Sequence, residues 1–372
     1  MILSTDEGGG ENMFKSNKHK RVVIAMSGGV DSSVSAALLK EQGYEVTGVS
    51  LQLYDPVLKE PGCRVKTCCS LDDVIDAGRV AKKLGIPFEI IDMRAEFKEQ
   101  VIDYFISEYA AGRTPNPCIR CNDLIKFELL LKKAIEMGAD LLATGHYARI
   151  SEVDNGWKCL LKGLDSAKDQ SYFLFTLSQE QLQHVVFPVG EIEKSSVRKL
   201  ASEYALPVAQ KHESQEICFI PDNDYVKFLE THGVAQKPGE IVTCDGTVVG
   251  HHSGLHRYTV GQRKGLGVAW KHPLHVQALD TVKNQVVVGE RGELETSTLT
   301  AARAIWCLAP TATEFRAACR IRYRHEPASC KVVMQGDSQF TVYFDTPQSA
   351  VAPGQAAVLY DGERVLGGGW ID

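Results

Sequence analysis

"VVIAMSGGVDSSVSAALLKEQG", residues 22–43, decides the fold. Val22 to Met26 is a short apolar run with the β-branched content of a strand buried on both faces. From Ser32 onward the apolar residues recur at helical spacing until Gly43 supplies a stop. The turn between them, Ser27-Gly28-Gly29, is made of small residues that let a backbone pass close to another group. Strand, glycine turn and helix in immediate succession open a βαβ unit.

The same alternation continues outward. "EVTGVSLQLY" (45–54) reads as the next strand, and "SLDDVIDAGRVAKKLG" (70–85) as a helix. Ser70 and Asp73 have capping-box spacing, and Leu71, Val74, Ile75 and Ala81 are expected on one face. "FEIIDM" (88–93) is a strand, followed by a helix from about Glu96 to Ala111. "DLIKFELLLKKAIEMG" (123–138) carries Leu124, Phe127, Leu131 and Ile135 at helical spacing, and "DLLATGH" (140–146) supplies a fourth strand. These elements predict an α/β fold: a doubly wound parallel sheet with right-handed crossovers. Ligands in such sheets bind beyond the carboxyl ends of the strands, where "SGGVDSS" (27–33) and "TGHY" (144–147) fall.

After about residue 220 the pattern changes to short alternating runs punctuated by Gly, Pro and Asp. The expected organisation is a disordered leader at 1–20, an α/β domain at 21–221, a small β-rich central module at 222–295 and a C-terminal β-barrel at 296–372. No apolar stretch approaches the roughly 18 residues of a membrane span, and the first residues lack the apolar core of a signal peptide, so a cytoplasmic protein without membrane partners is expected. Eleven cysteines, an odd number in a long chain, argue against a disulfide framework. Cys159, Cys244, Cys307, Cys319 and Cys330 read as structural, and Cys63, Cys68 and Cys69 form a dense group without assigned chemistry.

The glycine turn has the makings of a phosphate cradle: close backbone approach at Gly28 and Gly29, hydroxyls at Ser27, Ser32 and Ser33, and a helix N-terminus directly behind. A Walker-type Gly-x-x-x-x-Gly-Lys-Ser/Thr loop does not occur in the chain. The Ser-Gly-Gly-x-Asp-Ser order resembles the pyrophosphatase loop of enzymes that split ATP between its α and β phosphates. GMP, NAD, asparagine and argininosuccinate synthetases and several tRNA sulfurtransferases share it. The resemblance implies adenylation of an acceptor oxygen with release of pyrophosphate, and it places Asp31 to help hold Mg2+.

"NPCIRCN" (116–122) spaces Cys118 and Cys121 as half a metal site, a redox pair or a nucleophile beside a helper. No second C-x-x-C or H-x3-H accompanies it to complete a zinc site. With a helix expected to begin near Asp123 and Arg113, Arg120 and Lys126 close in sequence, Cys121 has the setting of a thiolate nucleophile. Cys218, in "HESQEICFIP" (212–221), is too distant for any local motif and requires a fold to reach Cys121.

"AMSGGVDSSVSAALL", "GRTPNPCIRCNDLIKF", "ATGHYARI", "KDQSYFLFTL", "ESQEICFI" and "GQRKGLG", in this order, resemble the tRNA-specific 2-thiouridylase family, as do "RYRHEP" and "PGQAAVLYDGERVLGGGWI" further on. The resemblance implies an ATP-pyrophosphatase catalytic domain acting with ATP and Mg2+. It puts nucleotide contacts at Ala25, Met26, Ser27, Gly28, Gly29, Val30, Asp31, Ser32, Leu51 and Gly145. Asn116, Pro117 and Cys118 match the segment that touches the target base, Cys121 the nucleophile and Cys218 the persulfide carrier. Lys168, Asp169, Gln170, His146, Arg322, Tyr323 and Gln355 match positions that contact tRNA. The implied reaction replaces the C2 oxygen of the wobble uridine with sulfur, leaves a Cys121–Cys218 disulfide, and draws sulfur from a cysteine desulfurase or sulfur-carrier protein; tRNAs of the Lys, Glu and Gln type are the implied substrates.

One position departs from the pattern, because many members of the family carry aspartate, a candidate acid/base, where this chain has Cys118. A 4Fe-4S cluster held by Cys118, Cys121 and Cys218 is the alternative to persulfide chemistry without a metal. Two further readings stay open on the residues: a small-molecule adenylating amidotransferase, and a non-catalytic iron–sulfur RNA-binding protein. The formal net charge of −6 argues against indiscriminate nucleic-acid binding. Yet Ala301 to Lys331 holds six cations against two anions, and "HRYTVGQRKG" (256–265) holds three cations and no anion, stripes that suit phosphate contacts.

Overall fold

The run beginning at Val22 forms β1 (Arg21–Ala25), the central strand of a five-stranded sheet in a computed structural model that describes residues 19–54, 71–153, 156–212, 217–220 and 223–372. Most of the leader, Ser70, and the Cys63, Cys68 and Cys69 group lie outside the described residues. β2 (Glu45–Gln52) and β4 (Leu141–Ala143) flank β1, while β3 (Phe88–Asp92) and β7 (Val185–Val186) form the edges, giving the order β3-β2-β1-β4-β7. All four pairings are parallel. The order reverses between β1 and β4, so the crevice for a ligand opens where the loops after these two strands meet.

The helix Val30–Glu41 is buried along most of its length, which explains its small residues: Ser32, Ser33, Ser35, Ala36 and Ala37 let it pack closely on more than one side. Two helical faces differ from the sequence expectation. In the helix Leu71–Leu84 the buried residues are Asp73, Ala77, Val80 and Ala81, whereas Leu71 and Ile75 are exposed. Asp73 turns inward because Lys211 reaches its carboxylate at 2.7 Å and Asp76 at 2.7 Å, so an ion-pair cluster anchors the first turn where an apolar pattern suggested Leu71. In the second helix, Cys121–Leu130 is π-helical and only Leu131–Glu136 continues as α-helix. Phe127 and Leu131 are buried as expected, but the wider π turn broadens the buried face to Ile125, Leu130 and Ala134, leaving Leu124 half-buried and Ile135 exposed.

β5 (Ala148–Glu152) and β6 (Lys158–Lys162) form an antiparallel hairpin. Further on, β8 (Gly239–Thr243), β9 (Val248–His252), β10 (His275–Asp280) and β11 (Gln285–Gly289) make a four-stranded sheet over a core that includes Ile241, Leu266, Leu274 and Val276. The C-terminal strands are β12 (Glu295–Trp306), β13 (Glu314–Arg320), β14 (Ala328–Met334), β15 (Gln339–Ser349), β16 (Ala356–Asp361) and β17 (Arg364–Ile371). They run β12-β15-β14-β13-β16-β17, and β12 pairs again with β17, closing an antiparallel barrel without free edges. The α/β sheet, the middle β module and the closed barrel are the architecture the sequence pattern led us to expect.

The chain gathers into two compact units. One comprises Met1–Phe97, Asp123–Ser171 and Gln179–Pro221; the other comprises Lys98–Asn122, Tyr172–Ser178 and Asp222–Asp372.

Candidate active site

In the first unit, the loop after β1 turns sharply into the helix Val30–Glu41. Gly28 has φ +67°, and a Cβ there would stand 2.2 Å from the Asp73 carbonyl oxygen, so no other residue fits. Gly29 is the N-cap, and no side chain caps the first amides of the helix. Those amides, with the positive end of the helix dipole, form a site for an anion. The serines divide their work differently from the sequence reading. Ser33 is buried and donates to the Gly29 carbonyl at 2.7 Å, and Ser32 bonds back to the loop through Gly29 and the Ser27 amide. Only Ser27 is exposed.

The loop after β4 closes the other side of the crevice. A Cβ on Gly145 would lie 2.6 Å from the Ser32 amide nitrogen, so the missing side chain is what allows this loop to approach the helix start. Tyr147, buried, donates its hydroxyl to Asp31 at 2.7 Å and is held in turn by Gln170, which accepts the Tyr147 amide at 2.9 Å. Lys194 completes the group, donating to both Asp31 oxygens at 2.6 and 2.8 Å. The lysine side chain is 10% exposed and the aspartate 29%, so this is a largely desolvated ion pair. Asp31, the residue expected to help hold Mg2+, is therefore already charge-balanced; a metal approaching it shares or displaces the ammonium. Lys194 was not legible in the sequence, since it opens a helix far along the chain without a local motif.

His146 accepts or donates a bond with Thr144 at 2.7 Å and lies between the rings of Phe127 and Phe187. Burial, reinforced by Lys126, holds its pKa well below the ordinary histidine range, so the imidazole is neutral at neutral pH. The side chain is therefore a ring and hydrogen-bonding group, not a cation. Asp169 is buried and accepts from the Gly163 and Ser171 amides at 3.1 and 3.0 Å, which makes it a brace of the loop that carries Lys168 and Gln170. Leu51 is buried on β2.

Cys218 is half-buried. Its carbonyl accepts the Tyr54 hydroxyl at 2.8 Å, and the neighbouring Phe219 packs edge-on against Phe97. Tyr54 follows the carboxyl end of β2 and Phe97 follows that of β3, so Cys218 sits over the same edge of the sheet as the phosphate cradle.

The second unit holds the other thiol. Asn116 caps the helix Pro117–Arg120, accepting the amides of Cys118 and Ile119 at 3.1 and 3.3 Å. The helix thus starts earlier than the sequence suggested. Cys121 is not poised ahead of a helix N-terminus; it lies a turn inside, at the first position of the π segment, and the dipole end is shared with Asn116. Cys118 is exposed and Cys121 buried. Arg120 stacks over the Tyr104 ring at 4.6 Å.

This segment is strapped to the barrel. Thr114 donates to Pro353 at 2.8 Å, and Gln355 donates to the Thr114 carbonyl at 2.8 Å. Gln355, matched to tRNA contact by resemblance, has the positioning of the 116–121 segment as its visible duty. On the other side, Asn122 donates to the Phe173 carbonyl at 3.2 Å, and the Phe173 ring lies 4.4 Å from that of Tyr323. Arg320 faces the Tyr323 ring, and exposed Arg322 donates to the Ser349 carbonyl.

Among the remaining cysteines, Cys159, Cys307, Cys319 and Cys330 are buried; burial raises the Cys319 thiol and pushes Cys330 up to about 11. Cys244 is exposed, against expectation, but partial burial with Glu293 and Asp245 nearby raises its pKa and keeps it a thiol. Among the described residues, no three His, Cys, Asp or Glu side chains gather as a metal site.

The sheet order and the glycine-lined cradle at its switch point define a nucleotide-binding α/β protein with two β appendages. Residues 20–222 match the model of the tRNA methyl transferase HUP domain, 226–290 that of the tRNA methyl transferase PRC-barrel domain, and 296–371 that of the aminomethyltransferase β-barrel domain. A tRNA-specific 2-thiouridylase MnmA of Geobacter metallireducens is 56% identical over 95% of this chain and 97% of its own. Proteins of the same name from Geotalea uraniireducens and Syntrophotalea carbinolica are 54% and 52% identical, covering 97% and 95% of this chain and 97% and 99% of their own. The chain belongs to the tRNA-specific 2-thiouridylase family of enzymes.

Proposed function

We propose that this enzyme catalyses ATP-dependent 2-thiolation of the wobble uridine of tRNA. The observation that carries the reading is the uncapped helix start beside Gly28 and Gly145, with Asp31 and Lys194 next to it and Cys218 over the same edge of the sheet. A helix N-terminus and a lysine suit a polyphosphate, and a half-buried thiol nearby suits transfer of sulfur to whatever the nucleotide activates. Methyl transfer, which the family-model descriptions mention, uses neither feature.

ATP and tRNA are substrates. The C2 oxygen of uridine attacks the α phosphate, pyrophosphate leaves, and the oxygen becomes part of an AMP leaving group. Mg2+, when bound near Asp31, supplies charge neutralisation for the departing pyrophosphate. The terminal sulfur of a Cys218 persulfide attacks C2 and expels AMP, which leaves the base joined to Cys218 through a sulfur–sulfur bond. The Cys121 thiolate attacks the Cys218 sulfur, the base departs as 2-thiouridine with the bonding electrons, and a Cys121–Cys218 disulfide remains. Two electrons from an external thiol restore both cysteines. Cys118, three residues before Cys121, is a candidate proton carrier in the position where many members of the family carry aspartate.

Asn116, Pro117 and Cys118 are proposed to receive the flipped base. Lys168, Gln170, His146, Arg322 and Tyr323 are the proposed tRNA contacts, with Asp169 and Gln355 acting through the segments they brace. The described residues contain no helix long and apolar enough to cross a membrane, and we place the enzyme in the cytoplasm, receiving persulfide from a cysteine desulfurase or sulfur-carrier protein. Unmodified tRNA of the Lys, Glu or Gln type, incubated with ATP, Mg2+ and a persulfide donor, should yield pyrophosphate and 2-thiouridine. Cys218→Ser should retain pyrophosphate release and lose 2-thiouridine. Pyrophosphate release that ignores tRNA would instead favour a small-molecule adenylating enzyme, and the absence of both products would end the catalytic reading.

A further inference from the structure

The middle β module carries a feature that the active site does not use. From Gly246 to Leu279 the chain has no Asp or Glu, in a protein whose formal net charge is −6. Within this stretch, residues 263–274 enclose an open concavity of about 720 Å³, lined by Arg263, Trp270, Lys271 and His272 among others and by no acidic group. That volume falls within the roughly 300–1,000 Å³ typical of small-ligand sites and accommodates a nucleotide. Arg263, Lys264, Trp270, Lys271 and His272 are all exposed, and Trp270 keeps 47% of its surface in solvent.

The Trp270 indole is presented on a pinned loop. Leu266 and Leu274 are buried in the module's core at either side of it. Gly261 donates to Val276 at 2.8 Å, Val276 donates to Gln262 at 3.0 Å, and the Gln262 side chain accepts the Thr259 amide at 3.0 Å. Gly261, Gly265 and Gly267 have φ of +89°, +78° and +68°, a backbone path that side-chain-bearing residues resist. The exposed side chains therefore stand on a fixed frame and bind without a large ordering cost.

Resting on the proposed function, we infer that this loop is an RNA-binding subsite on the middle module, in which Trp270 stacks on an unpaired nucleobase while Arg263, Lys264 and Lys271 contact the adjoining phosphates. Cations flanking an aromatic platform, with acids absent, are the elements of single-stranded RNA recognition. A membrane surface would call for a broader apolar face than one indole.

Binding of unmodified tRNA to the full-length protein, measured by fluorescence anisotropy across a salt series, tests this. Trp270→Ala should weaken binding by about 10-fold or more, and Trp270→Phe should recover most of the loss. Arg263→Ala/Lys264→Ala should flatten the slope of log affinity against log salt by about 1 to 2. Should Trp270→Ala not fold, as judged by its thermal melt, the salt slope of the double variant decides. If wild type neither binds nor thiolates tRNA, the proposed function is at fault. If wild type does both and these variants keep its affinity and salt slope, the subsite does not exist.

Discussion

Replacing Lys194 with methionine removes the ammonium and keeps the stem, and its consequences follow from the geometry around Asp31. The wild-type carboxylate receives two bonds from Lys194 at 2.6 and 2.8 Å and one from Tyr147 at 2.7 Å. Breaking a fully buried ion pair by deleting one partner costs about 3–5 kcal/mol. Asp31 keeps 29% of its side-chain exposure and the tyrosine hydroxyl, so water and Tyr147 recover part of that, and about 2 kcal/mol is expected. For a domain of this size the melting temperature should fall by about 4–8 °C. The larger effect should be chemical. Asp31 lies in the first turn of the helix whose amides face the phosphate cradle, so the lysine that holds it is within the same charged neighbourhood as a bound triphosphate. Removing one positioned donor from such a site slows the step it serves by about 100- to 1,000-fold. Pyrophosphate release in the presence of tRNA, at a temperature where the variant remains folded, measures this directly. A variant that melts like wild type and releases pyrophosphate within threefold of its rate would refute both halves of the reasoning; a lowered melting point with an unchanged rate would leave Lys194 only a structural role.

Gly145→Ala puts a methyl group 2.6 Å from the Ser32 amide nitrogen, a backbone atom in a buried helix, so KM for ATP should rise at least 10-fold in steady-state assays; an unchanged KM would show that the crevice is not where the nucleotide binds. Gln355→Ala cuts the strap to the Thr114 carbonyl, costing about 1 kcal/mol, and should depress 2-thiouridine formation more than it alters binding of ATP, as equilibrium titration would report. His146 has a folded-state pKa depressed by burial, so the stability it allows is complete above the unfolded histidine value of about 6.5 and is lost as pH falls toward the lower folded value. An imidazole resonance titrating near 6.5 in the native protein would contradict that placement.

The α/β part was legible because its signals are local. A buried strand, a glycine turn and a helix with its stop follow one another within residues 22–43, and repetition of that pattern dictates parallel pairing and a crevice at the carboxyl edge. Gly28 and Gly145 could be singled out from their settings, although the contacts that demand glycine, with the Asp73 carbonyl and the Ser32 amide, come from segments remote in sequence. Helical faces were legible only where the period held. Along Cys121–Leu130 a π-helical backbone changes the residue spacing itself, so the count at 3.6 found Phe127 and Leu131 on the buried face but missed Ile125 and Leu130 and ended on exposed Ile135.

The amino-acid order alone determined that this chain would build a parallel sheet with a phosphate-binding turn, and that two β modules would follow, because those outcomes depend on hydrophobic period, turn chemistry and backbone freedom at individual residues. Tertiary structure alone decided that Lys194 and Tyr147 neutralise and orient Asp31, that Gln355 holds the segment leading to Cys121, and that Cys218 stands over the carboxyl edge of the sheet. Charge pairing and hydrogen bonding act through space, between residues whose separation along the chain leaves no periodicity to detect.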